Sequence, residues 1–105
     1  MKITYKFNND NGTYLCFGEF EYEEDFPRFL AGISERFNIT EPEPRQGPYS
    51  VTADFVWLES NLIAMFHEDT GCCIVVPIDS SKVVEEIERL MGKAKGVGPI
   101  IDNLA

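Results

Sequence analysis

The spacing of hydrophobic residues changes several times along this 105-residue chain, and each change predicts a structural element. At the start, Ile3, Tyr5 and Phe7 alternate with polar residues, which is the two-residue period of a β-strand with one solvated face. Asn11-Gly12 follows and predicts a hairpin turn, because both residues tolerate a positive φ. The return strand is expected from Thr13 to about Tyr22.

Two later segments have the 3.6-residue period of amphipathic helices. The first helix is expected over residues 24–37, and the carboxylates of Glu23, Glu24 and Asp25 open it because negative charge favours a helix N-terminus. The second is expected over residues 81–92, with Asp79-Ser80-Ser81 as capping residues and Gly92 as the stop. The apolar stripes are Phe26, Phe29, Leu30, Ile33 and Phe37 in the first helix, and Val83, Val84, Ile87, Leu90 and Met91 in the second.

Between the helices, the pattern predicts a loop and three strands. Residues 38–48 contain Pro42, Pro44, Gly47 and Pro48, so they form neither a helix nor an inner strand. Strands are expected over residues 51–58, 62–67 and 72–78, with turns over residues 59–61 and 68–71.

The resulting order, β-β-α-β-β-β-α, predicts an α+β fold of two layers. We expect a mostly antiparallel five-stranded sheet with both helices on one face, because the two apolar stripes need a common cover. Residues 1–95 are expected to form a single domain, and residues 96–105 a loosely docked C-terminal tail. An apolar patch left on the other sheet face would mark a partner surface or a homodimer contact. Its expected members are Leu15, Phe17, Val56, Leu58, Ile63 and Met65.

The charge of the chain limits the classes of partner. It has 18 acidic and 9 basic residues, for a net charge of -9. Such a surface repels phosphate backbones, so we expect no nucleic acid partner, whereas a basic protein would be attracted. No apolar stretch approaches the ~20 residues of a membrane span, and the first residues do not form the apolar run of a signal peptide. We therefore expect a cytoplasmic protein without a membrane partner.

The most reactive side chains lie in the stretch His67-Glu-Asp-Thr-Gly-Cys-Cys73. A structural zinc site needs four ligands, and a thioredoxin-like redox site needs Cys-x-x-Cys. The chain has one histidine, three cysteines and no Cys-x-x-Cys, so we predict reduced thiols and neither a metal, a cofactor nor a catalytic residue. One alternative is a small enzyme or ligand-binding domain in which His67 and Cys72 face each other across a hairpin.

A dense acidic run is the strongest candidate for a binding surface. Glu19-Phe-Glu-Tyr-Glu-Glu-Asp25 places five carboxylates in seven residues, and Glu41 and Glu43 extend the charge into the proline-rich loop. Such a run is often no more than a solvated face, but it can also steer a basic partner towards aromatic anchors. The predicted partner-binding residues are Glu19, Phe20, Glu21, Tyr22, Glu23, Glu24, Asp25, Glu41, Glu43 and Tyr49.

This acidic α+β profile resembles the immunity proteins of bacterial toxin systems, including contact-dependent inhibition and polymorphic toxins. The stretch Leu62-Ile-Ala-Met-Phe-His-Glu-Asp-Thr-Gly-Cys-Cys-Ile-Val-Val and the Ser-led Val-Val-Glu-Glu-Ile helix are similar to theirs in character. The resemblance implies a protein that binds one cognate toxin tightly and blocks its active site or its activation. Many such toxins are basic nucleases. A homo-oligomeric protein of another role is the remaining alternative.

Overall fold

The computed structural model describes residues 1–93 and the backbone of Gly96 and Val97. This part of the chain has an α+β fold, with an open sheet and two helices, α1 (Phe26–Phe37) and α2 (Lys82–Met91). No described helix is long and apolar enough to span a bilayer. The strands are β1 (Tyr5–Asn9), β2 (Gly12–Phe17), β3 (Arg45–Gln46), β4 (Ser50–Trp57), β5 (Ser60–His67), β6 (Gly71–Pro77) and β7 (Gly96–Val97).

The strands follow the order β3-β4-β5-β6-β2-β1-β7 across the sheet. All neighbours are antiparallel except β1 and β7, which are parallel. The predicted count of five strands was therefore too low for the described residues. The additional strands, β3 and β7, are two-residue edge strands, and two residues are too few to show an alternating pattern. The other residues of the predicted tail, 98–105, lie outside the described part of the chain.

Both helices pack on the same face of the sheet. Their buried apolar residues belong to one cluster, the helix-side core, together with alternate residues of the central strands. Its α1 members include Phe29 and Ile33, and its α2 members include Ile87 and Met91. Leu15 and Phe17 of β2 are fully buried beneath them. This arrangement agrees with the prediction that the apolar stripes of both helices pack on the same face of the sheet.

The opposite sheet face carries a second, smaller apolar cluster. Its buried members are Phe7, Tyr14, Cys16, Met65, Cys73 and Val75. The expected exposed patch differs from this: Leu15 and Phe17 point towards the helices, and Met65 is buried in the second cluster. Alternation separates Leu15 and Phe17 from Tyr14 and Cys16 but does not show which of the two faces the helices cover, and they cover the face with Leu15 and Phe17. Of the expected residues, Val56 and Leu58 are exposed.

Two turns differ from the sequence prediction. The strand expected over residues 13–22 ends at Phe17, because the backbone N–H of Phe20 donates a 3.0 Å hydrogen bond to the Phe17 carbonyl and the chain turns. The turn between β4 and β5 is Leu58-Glu59 rather than residues 59–61, and both residues adopt a positive φ, of 50° and 62°. Two positive φ angles match the twist of a tight hairpin, but Leu and Glu are rare in such turns.

The buried face of α2 differs from the expected apolar stripe at two residues, Glu88 and Leu90. Glu88, expected on the solvated side, is buried, and its Oε2 accepts a 3.2 Å hydrogen bond from Nζ of Lys6 on β1. Leu90, expected in the stripe, is exposed instead. The hydrophobic pattern could not reveal this difference, because the cation that pairs with Glu88 lies 82 residues away.

Candidate functional site: an acidic cleft

The acidic run is held against the turn between β5 and β6. The backbone N–H of Cys72 donates a 2.8 Å hydrogen bond to the carbonyl oxygen of Phe20. Gly71 has a φ of +72°, and a Cβ atom at this position would lie 3.1 Å from the Phe20 carbonyl and 3.2 Å from Cα of Glu21. The segment can approach this closely because Gly71 has no side chain. The approach places Glu21 beside the turn that contains Glu68 and Asp69.

A cleft of about 260 Å³ opens beside this contact. It is lined by Glu23, the first residue of the 3₁₀ turn Glu23–Asp25 that precedes α1, and by residues where β4 begins and β5 ends. We call it the acidic cleft. Its lining residues are Glu23, Gln46, Pro48, Tyr49, Ser50, Val51, Phe66, His67 and Glu68.

The carboxylates of this region are not neutralised within the described chain. Among the described residues, no salt bridge reaches Glu21, Glu23, Glu24 or Glu68. Uncompensated like charges in a concave surface focus a negative potential, which raises the local concentration of cations. The cleft therefore attracts positively charged groups.

The two arginines nearest in sequence are already engaged. Nη2 of Arg28 donates a 2.6 Å hydrogen bond to Oδ1 of Asp25, and Nη2 of Arg45 donates a 2.8 Å hydrogen bond to Oδ2 of Asp54. Each guanidinium therefore offsets a carboxylate other than those of the cleft. Among the described residues, neither arginine neutralises Glu23 or Glu68.

The predicted aromatic anchors are not equivalent. Tyr49 lines the cleft with 72% of its surface exposed, and Tyr22, at the start of the 3₁₀ turn, is 59% exposed. Phe20, by contrast, is buried in the helix-side core, where its ring centroid lies 5.4 Å from that of Phe29. The turn after Phe17 directs Phe20 inward, so Tyr22 and Tyr49 are the exposed anchors of the predicted set.

The other predicted partner-binding carboxylates have different positions. Glu19 faces the N-terminus, where its Oε1 accepts a 2.9 Å hydrogen bond from the Lys2 backbone N–H. Oδ2 of Asp25 accepts a 3.0 Å hydrogen bond from the Tyr22 backbone N–H, and its pairing with Arg28 lowers the pKa of the Asp25 carboxyl. Glu41 and Glu43 are exposed in the loop before β3 and do not line the cleft. The structure thus brings Glu23 and Tyr49 into the cleft and Glu21 close to it.

The pairing of His67 with Cys72, on which the alternative of a small enzyme or ligand-binding domain depends, is not formed in the β5–β6 hairpin. His67 pairs with Gly71 across the β5–β6 hairpin, whereas Cys72 pairs with Phe66 and belongs to the helix-side core. Burial raises the pKa of the Cys72 thiol to about 12, and the nearby charge of Asp25 adds to the effect. A thiol with such a pKa is a poor nucleophile at neutral pH. No group of three or more potential metal ligands occurs in the described residues.

His67 instead lines the acidic cleft, and this position was not predicted from the sequence. Only 8% of its surface is exposed, and its Nδ1 accepts a 3.0 Å hydrogen bond from the Asp69 backbone N–H. Glu68, in the same turn, lines the cleft as well. The sequence signal was present in the polar turn after β5, but the contact with residues 20–23 depends on the fold.

A more apolar groove continues from the acidic cleft. It has a volume of about 280 Å³ and shares Glu23, Gln46 and Val51 with the cleft. Its remaining lining residues are Phe26, Pro27 and Pro44. A charged cleft beside an apolar groove suits a ligand with a basic group next to an apolar one.

Comparisons of this chain with protein-family models, with curated proteins and with solved structures found no match.

Proposed function

We propose that this protein is an immunity or inhibitor protein that binds and neutralises a basic toxin through the acidic cleft and the carboxylates around it. The observation that carries the proposal is the juxtaposition of Glu23 and Glu68 with the exposed ring of Tyr49 in one cavity. Carboxylates without internal partners raise the rate of encounter with a basic protein, and exposed aromatic residues supply contact area once water is excluded.

The proposed roles divide between steering and anchoring. Glu21, Glu23, Glu24 and Glu68 provide the long-range attraction, and each alone contributes only ~0–1 kcal/mol because solvent screens it. Tyr22 and Tyr49 provide the durable contact, in which a buried aromatic anchor is typically worth ~2 kcal/mol or more. In this proposal the protein acts in the cytoplasm and needs neither a cofactor nor a catalytic residue.

Co-expression with a candidate toxin tests the proposal. The test variant replaces Glu21, Glu23 and Glu24 by lysine, and the control replaces Asp10, Glu59 and Asp79 by lysine, with the same change in net charge. The control residues lie in exposed turns at the end of the sheet opposite to the cleft. After both variants are shown to fold, the test variant should lose protection and the control should keep it. Equal protection by the two variants would remove the acidic surface from the proposed function.

A further inference from the structure

The acidic cleft contains a buried polar group that points to a more specific ligand than a general basic surface. His67 is more than nine-tenths buried, and the Asp69 backbone N–H occupies its Nδ1. A ring nitrogen that accepts a hydrogen bond carries no proton, so the neutral ring has its N–H at Nε2. His67 lines the cleft, so its Nε2–H is the donor that this side chain can offer to a ligand there.

Three features of the cleft each restrict the chemistry of a ligand: two carboxylates, an exposed aromatic ring and the His67 donor. Glu23 of the 3₁₀ turn and Glu68 of the turn after β5 both line the cleft, and their charges favour a cation. The exposed ring of Tyr49 favours a flat cation stacked on its face. The His67 Nε2–H needs a hydrogen-bond acceptor, which a cation by itself does not have. A basic side chain on a peptide backbone supplies both, because each residue carries a carbonyl oxygen close to its side chain.

We propose that the acidic cleft is a receptor for one arginine side chain in an extended segment of the partner. This inference rests on the proposed function and adds the chemistry of the partner's anchor. The guanidinium is bound between Glu23 and Glu68 over Tyr49, and a carbonyl of the same segment accepts a hydrogen bond from His67 Nε2. Arginine fits better than lysine because its planar fork can bind two carboxylates and stack on an aromatic ring.

The size of the site supports a single side chain rather than a larger ligand. The cleft volume of about 260 Å³ is below the ~300–1,000 Å³ typical of pockets for drug-sized molecules. The adjoining groove, lined by Phe26, Pro27 and Pro44, lies where the neighbouring residue of an extended segment would pass. An apolar residue next to the arginine therefore completes the recognition.

Titration of the isotope-labelled full chain with acetyl-Leu-Arg-Leu-amide, followed by NMR, tests this inference without any toxin. The amide resonances of Glu23, Tyr49 and Glu68 should shift in a saturable way. Acetyl-Leu-citrulline-Leu-amide has nearly the same shape without the charge and should bind at least tenfold more weakly. The lysine peptide should bind more weakly than the arginine peptide. Equal binding of the citrulline peptide, no binding at millimolar concentration, or shifts away from the cleft would each overturn the proposal.

Variants of His67 separate its proposed role from a structural one. In His67→Gln the side-chain amide N–H can replace the Nε2–H, whereas in His67→Asn the amide oxygen can replace Nδ1 in the turn but no donor reaches the cleft. We expect His67→Gln to bind the arginine peptide within about threefold of the wild type and His67→Asn to bind it at least fivefold more weakly. Equal affinities would exclude the hydrogen bond from Nε2.

Charge variants complete the test. Glu23→Gln combined with Glu68→Gln should reduce peptide affinity at least tenfold, whereas Glu59→Gln, at the far end of β4, should leave it unchanged. If the peptide fails to bind but charge reversal at Glu21, Glu23 and Glu24 still abolishes protection, the proposed function stands and the arginine receptor is wrong. If the peptide binds and the reversal leaves protection intact, the receptor stands and the proposed function is wrong.

Discussion

The backbone N–H of Cys72 is 2.8 Å from the carbonyl oxygen of Phe20, and this hydrogen bond joins the acidic run to the first residues of β6. Without it, the carboxylates of residues 21–24 and the turn after β5 would be separate surface features. With it, Glu23, His67 and Glu68 line one cleft. The candidate site therefore depends on a backbone contact between segments about fifty residues apart in the chain.

Gly71→Ala should weaken both the fold and the site. The added Cβ would lie 3.1 Å from the Phe20 carbonyl at a φ of +72°, so the acidic run must move away. We expect a loss of about 1–3 kcal/mol in the free energy of unfolding, measured with urea, because strained positions of this kind cost that much. Binding of the arginine peptide should fall as well.

Gly92→Ala is the matched control for this change. Gly92 also has a positive φ, of 89°, but among the described residues that are not its chain neighbours no atom lies within 4 Å of its added Cβ. It should lower stability through backbone strain and leave peptide affinity unchanged. Equal effects of the two variants on the peptide would show that Gly71 does not position the acidic run.

Lys6→Met should destabilise the fold, because it leaves the buried carboxylate of Glu88 without its 3.2 Å partner. The side chain of Lys6 is 40% exposed, so water limits the expected loss to about 1–3 kcal/mol. Adding Glu88→Gln should recover part of that loss in chemical denaturation. Arg89→Ala, which breaks an exposed pair with Glu86, should cost less than ~1 kcal/mol. Strictly additive losses for Lys6 and Glu88 would contradict the coupling.

Asp25→Asn should lower stability at neutral pH and have little effect in acid. The hydrogen bond from Arg28, and then that from the Tyr22 backbone, lowers the pKa of the Asp25 carboxyl. A lowered pKa in the folded state stabilises the protein above the ordinary pKa, and this stabilisation is lost as the pH falls through the lowered value. Thermal unfolding over a pH series should show the difference between variant and wild type shrinking in acid. Glu24→Gln, at an exposed neighbour without a described partner, is the control and should leave stability at neutral pH nearly unchanged.

The three cysteines should be free but slow to react in the folded protein. All are buried, and burial raises the pKa of Cys72 to about 12 and that of Cys73 well above its ordinary value. At pH 8 the thiolate fraction of Cys72 is then on the order of 10⁻⁴, and only thiolate attacks a disulfide reagent. Titration with such a reagent should therefore be slow in buffer and count three thiols in denaturant. Rapid modification of the native protein would contradict the burial of these side chains.

Local periodicity was sufficient to predict the two helices and the central strands, but not the details that depend on distant partners. The stripe from Phe26 to Phe37 and the alternation in β4 are repeated signals, so their elements were recognised. Arg45–Gln46 is too short to show any period, and the inward position of Glu88 depends on a cation near the N-terminus. Hydrophobic pattern carries no information about such pairings.

The candidate site could be predicted only in part for the same reason. The charge of Glu21 and Glu23 is visible in the sequence, as is the aromatic character of Tyr49. The burial of Phe20 is not visible in the sequence, because it depends on a turn that ends β2 at Phe17. His67 was considered as a partner of Cys72, but strand alternation places the two side chains on opposite faces of the sheet.

The central claim is that the acidic cleft steers and binds a basic partner. The most direct test is to measure the association rate constant with a basic toxin by stopped flow at a series of salt concentrations. For the wild type, the rate constant should fall steeply with added salt, because the Debye length shrinks from about 30 Å at 0.01 M to about 8 Å at 0.15 M. Replacement of Glu21, Glu23 and Glu24 by lysine should slow association at low salt at least tenfold and flatten the salt dependence. Replacement of Asp10, Glu59 and Asp79 should have a much smaller effect. The same slope for all three proteins would contradict the account.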